Sequence, residues 1–109
     1  MEEILRVANE LGQMIQETEV FRDFQKYSAE LEENESSRGL LERYSAAAEE
    51  IHDREQRGDI VEVWEKEKLR ELSEEVKADE FLMAYVKVRE EYLGLLMTIQ
   101  RAIGEGDAS

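Results

Sequence analysis

The sequence predicts an all-α domain of about five helices, the last of them long. Three observations carry that reading. No proline occurs anywhere among the 109 residues. Strong helix formers (Glu, Leu, Ala, Lys, Arg, Gln and Met) dominate the composition. Apolar residues recur at spacings of three and four along the chain, the period of an amphipathic helix.

Ile4, Ala8, Leu11 and Ile15 share one face, so residues 2 to 16 form a first helix. Thr18 is suited to cap a second, along which Val20, Phe21, Phe24, Tyr27, Ser28 and Leu31 keep the spacing. Asn34 can cap a third, whose inward positions are Leu40, Leu41, Tyr44, Ala47, Ala48 and Ile51. That helix stops near Arg57-Gly58, where glycine suits a left-handed residue just past the end and arginines complement the helix dipole. Val61, Trp64, Leu69, Leu72 and Val76 mark a shorter fourth helix.

Asp79 then caps the longest helix. Phe81, Tyr85, Val88, Tyr92, Leu95, Ile99 and Ile103 repeat at alternating spacings of four and three, and Leu82, Val86, Leu93, Leu96 and Met97 widen their stripe. Residues 80 to 103 make a rod of roughly 36 Å. The tail from Gly104, residues 105–109 above all, holds nothing to bury and is expected to fray. Residues 1–104 then constitute a single helical domain.

Composition excludes several chemistries. There is no cysteine, so thiolate metal sites, disulfides and a cysteine nucleophile are out. No apolar run approaches the roughly 20 residues that span a bilayer. The opening Met1-Glu2-Glu3-Ile4-Leu5-Arg6 has the wrong charge for a secretory signal, so the expected location is the cytoplasm. Acidic residues number 28 against 14 basic, a net charge of -14. The basic residues are scattered among carboxylates rather than clustered, which argues against direct binding of nucleic acid or anionic membranes.

The histidine at position 52 is the sole one, and Glu49-x-x-His52 has the spacing used in carboxylate-bridged dimetal bundles. A two-fold dimer would supply the two copies such a site needs. With so many carboxylates an acid three residues from a histidine is close to inevitable, so His52 reads first as a surface residue. Phosphate-binding glycine motifs and a serine with a base at a suggestive position are absent. Neither enzyme activity nor a cofactor is expected.

Three features suit binding instead. A 36 Å rod is longer than a globule of this size requires, given a radius of gyration near ~13 Å. Part of its stripe is therefore expected to be buried by dimerisation, or by a hetero-assembly that copies the homodimer interface. Gly94 lies mid-helix, where a slight bend, or a close crossing by a helix of the same chain or of a partner, explains its cost. Trp64, the lone tryptophan, reads first as core and second as an interface anchor. The candidate interface comprises Tyr85, Val88, Tyr92, Leu95, Leu96, Ile99, Ile103 and Trp64.

In order and spacing the chain resembles the YlbF/YmcA family of control-of-competence regulators over about residues 3 to 104. The likeness rests on Ala8-Asn9-Glu10-Leu11-Gly12 in the first helix and on Thr18-Glu19-Val20-Phe21-Arg22-Asp23-Phe24. It continues in the helix starts Asn34-Glu35 and Asp79-Glu80, in Gly58 to Leu72, and in Phe81-Leu82-Met83-Ala84-Tyr85. The resemblance implies a bacterial, all-helical, self-associating accessory protein that influences competence, biofilm formation, sporulation and RNA processing. It also implies family paralogues or RNA-processing proteins as partners. Relatives that hold iron–sulfur clusters do so through cysteines, which this chain lacks; that places it beside a cysteine-lacking paralogous branch.

Overall fold

The computed structural model describes residues 1–105, and its five helices follow in chain order: α1 (Glu2–Gln16), α2 (Glu19–Glu33), α3 (Glu35–Gln56), α4 (Val63–Ala78) and α5 (Glu80–Glu105). The expected all-α class and long last helix are observed.

Side chains fix the helix starts. Thr18 Oγ1 accepts the Phe21 N–H at 3.1 Å, and Asn34 Oδ1 accepts the Ser37 N–H at 3.1 Å. Asp79 Oδ1 accepts the Leu82 N–H at 3.0 Å. Each removes one of the unpaired donors at a helix N-terminus. Gly58 has φ +82°, the left-handed conformation that ends α3.

Two boundaries differ from the sequence reading. Val61 is outside α4, which opens at Val63 because the Glu62 N–H donates to the Glu65 carboxylate at 2.8 Å. At the other end α5 carries on through Gly104 to Glu105. Residues 106–109, the remainder of the expected tail, lie outside the described residues.

The chain divides into two compact units. The central unit, Glu30–Ala84, contains α3 and α4, which pack against each other, and the adjoining ends of α2 and α5. Its buried side chains are Leu31, Ser37, Val76 and Leu82, the last with 0% exposure. Ser37 is a polar residue in this core, and its hydroxyl donates to Asp79 Oδ2 at 2.7 Å. The buried hydroxyl is thereby satisfied, as burial of a polar group requires.

The terminal unit, residues 1–29 with 85–105 of those described, contains α1, most of α2 and most of α5. Among its described residues no side chain is buried. Its best-packed feature is aromatic. Tyr92 stacks on Phe24 with centroids 4.8 Å apart and 15° between planes, and lies 5.6 Å from Phe21. Tyr85 is 6.3 Å from Phe24, and the Arg89 guanidinium sits 5.7 Å from the Tyr85 ring centre.

Truncating the fully buried side chain in Leu82→Ala is expected to cost about 2–5 kcal/mol, measured by urea unfolding. The Asp79 carboxyl is held below its usual pKa first by the Leu82 N–H and second by the Ser37 hydroxyl. A depressed native pKa gives stability that is present above the unfolded value, about 3.9, and lost as pH falls through the lower native value. Asp79→Asn should therefore flatten the acid limb of stability below about pH 4, read from urea midpoints at successive pH values.

Candidate interaction surfaces

α1 is amphipathic and only partly covered. Ile4 is 67% exposed, and Leu5, Val7 and Met14 are each more than half exposed; Leu11 and Ile15 are half-buried. On its polar side Arg6 reaches Glu10 at 2.8 Å and Glu3 at 3.9 Å. Exposed pairs at these helical spacings contribute little, so they decorate the helix rather than fix it.

α5 has two different sides within the terminal unit. Of the sequence candidates, Tyr85, Val88, Tyr92, Leu95, Leu96 and Ile99 are all half-buried, and the aromatic pair Phe24–Tyr92 shows how part of that side is occupied. Ile103 is exposed. The open side carries Leu93 and Met97, which the sequence reading noted only as widening the stripe. Between them Gly94 has open space where a Cβ would stand, so no helix among the described residues crosses there.

The central unit exposes a second apolar patch. Trp64 is 61% exposed, beside Ile60 and Val63, which are more exposed still. The expectation that Trp64 belongs to the core is thus corrected: α4 turns Leu69, Leu72 and Val76 inward and leaves its first turn outside. Val63, Trp64, Glu62, Glu67, Lys68 and Glu71 line a depression there.

That patch is held by a clamp absent from the sequence reading, which assigned Arg54 to the helix dipole. The Arg54 guanidinium donates to the Glu65 carboxylate and, at 2.8 Å, to the Ile60 carbonyl. The hydrogen bond from Arg54, with the Glu62 N–H adding to it, holds the Glu65 carboxyl below its usual pKa. Lys66 reaches Glu55 at 3.3 Å, tying the start of α4 to the end of α3 a second time. The 57–62 connection is thus spanned by side chains from both flanking helices. An arginine six residues before a carbonyl carries no periodic signature, so pattern alone could not find it.

Glu49 and His52 are both exposed on α3. Among the described residues no three His, Cys, Asp or Glu side chains form a group that could hold a metal ion, which disfavours the dimetal alternative. No described helix is long and apolar enough to cross a membrane.

The faces of α1 and α5 and the start of α4 thus expose apolar side chains. The family model described as control of competence regulator ComK, YlbF/YmcA, matches residues 4–106. The chain belongs to the YlbF/YmcA family. No curated protein matches it. Membership of the YlbF/YmcA family suggests a regulatory or adaptor role, in keeping with surfaces built for contact.

If Arg54 holds the 57–62 connection, Arg54→Gln should accelerate trypsin cleavage after Arg57 severalfold, followed by mass spectrometry under native conditions. An unchanged rate would show that Gly58 alone sets the turn.

Proposed function

We propose that this YlbF/YmcA family member is a non-enzymatic regulatory adaptor that self-associates and binds protein partners in the cytoplasm. The observation behind this reading is the distribution of apolar side chains. Large ones crowd the surface at Ile4, Leu5, Met14, Trp64, Leu93 and Met97, whereas the buried apolar set is Leu31, Val76 and Leu82 among the described residues. Exposed apolar area on this scale marks contact surfaces. Trp64 on a clamped turn has the character of an interface anchor, a rigid aromatic ringed by polar groups. The net charge of -14 directs the chain away from nucleic acid and toward proteins.

In this reading the partners are family paralogues or RNA-processing proteins, and the process is competence, biofilm formation, sporulation or RNA processing. The chain acts as a cysteine-lacking branch of the family, without an iron–sulfur cluster of its own.

Pairwise co-expression with each family paralogue and RNA-processing enzyme of the same genome, followed by native mass spectrometry, tests it. The expected result is a hetero-complex of integer stoichiometry that Trp64→Asp weakens at least tenfold. Failure of every pair to associate would overturn the adaptor reading.

A further inference from the structure

We propose that the outer row of α4 docks a basic amphipathic helix of a partner protein, which seats an apolar side chain on Trp64 and sets arginine or lysine against Glu71 and Glu75. The inference rests on the adaptor reading above and adds the chemistry of the partner.

Helical spacing makes the row. Trp64, Lys68, Glu71 and Glu75 follow one another at intervals of four, three and four, so they line one face of α4. All four are exposed, and all belong to the central unit. The depression beside Trp64 shares Lys68 and Glu71 with a second one, which is completed by Arg70, Leu72, Glu74 and Glu75. The two therefore run on along the helix. From Trp64 to Glu75 is about 17 Å, the length of a partner helix of about 12 residues.

The row is polarised. At its start Trp64 stands with Ile60 and Val63, which are 79% and 77% exposed. That end is also fixed, because Arg54 holds the Ile60 carbonyl and Lys66 ties α4 to Glu55. An apolar platform that is already ordered keeps the entropic cost of docking low. Toward its other end the row is acidic. Glu67 and Glu74 pair with Arg70 and Lys77, whereas Glu71 and Glu75 form no ion pair among the described residues. Two carboxylates are thus open to a partner's cations, against one lysine, Lys68.

Charge selects the occupant. A second copy of the chain carries a net charge of -14, with its basic residues scattered among carboxylates, so it has no basic face to offer the row. The same carboxylates repel the phosphates of a nucleic acid. A helix with a large apolar residue on one turn and arginine or lysine on the following turns complements both halves. It lies in the groove as amphipathic recognition helices do, with the apolar anchor supplying affinity and the ion pairs supplying selectivity.

The probe is a stapled, fluorescein-labelled synthetic helix of that length, with leucines in one half and arginines in the other, titrated with the full chain and followed by anisotropy. Binding should saturate at one peptide per chain. Glu71→Gln with Glu75→Gln should weaken it about fivefold. Glu90→Gln with Glu91→Gln, an equal loss of charge outside the central unit, should change it less than twofold. Trp64→Ala should weaken it at least tenfold, and Lys68→Gln should tighten it. All these side chains are exposed, so helical circular dichroism should not change. No binding, equal weakening by the two double variants, or indifference to Trp64→Ala would each overturn the inference. So would equal affinity for a peptide with glutamates in place of the arginines. A sedimentation mass of the chain alone that falls on Trp64→Ala would assign the row to a second copy and overturn it too. A co-expressed partner released by Trp64→Asp but not by Glu71→Gln with Glu75→Gln would overturn it while leaving the adaptor reading intact. Probe binding as stated, with no co-expressed protein associating, would support it and remove the adaptor reading.

Discussion

Asp79 is the single residue between α4 and α5, and its carboxylate serves both neighbours at once. One oxygen receives the Leu82 N–H and starts α5; the other receives the Ser37 hydroxyl from the first turn of α3. Ser37 in turn is held through its own N–H by Asn34, the cap of α3. Two helix starts therefore share one hydrogen-bonded chain, Asn34–Ser37–Asp79–Leu82. It lies beside Leu82, the most buried side chain of the central unit. A polar network of this kind is worth having only when every member is satisfied, and here no buried side-chain nitrogen or oxygen among the described residues is left without a partner.

Most of the helical scaffold was legible because its signals are local. Spacing marked the five helices, and Thr18, Asn34, Asp79 and Gly58 carried the punctuation that capping and left-handed geometry demand. What pattern cannot report is the neighbour that covers a face. Tyr92 and Leu93 are adjacent members of one broad apolar stripe, yet Tyr92 stacks on Phe24 and Leu93 meets solvent. Trp64 looks like a core residue in the same way, although α4 reserves its inner side for smaller aliphatic residues. Arg54 and Ser37 were missed for a further reason. Their partners lie in other elements, and only folded geometry brings such pairs together.

The ion pairs are mostly exposed and short-range along single helices, as with Arg6–Glu10 and Arg70–Glu67. They neutralise part of an acidic surface and contribute little to stability. In the proposed adaptor role, recognition falls to the apolar patches between them. This division is in keeping with the regulatory or adaptor role that membership of the YlbF/YmcA family suggests.

The clamp formed by Arg54 and the exposure of Trp64 have a practical corollary. Trp64 is the sole indole in the sequence, and it stands in water on a turn that is tethered at both ends. All tryptophan fluorescence from this protein therefore originates at one surface position whose backbone is pinned. The chain carries a built-in optical label at an exposed aromatic side chain, silent about the interior and sensitive to whatever displaces solvent there.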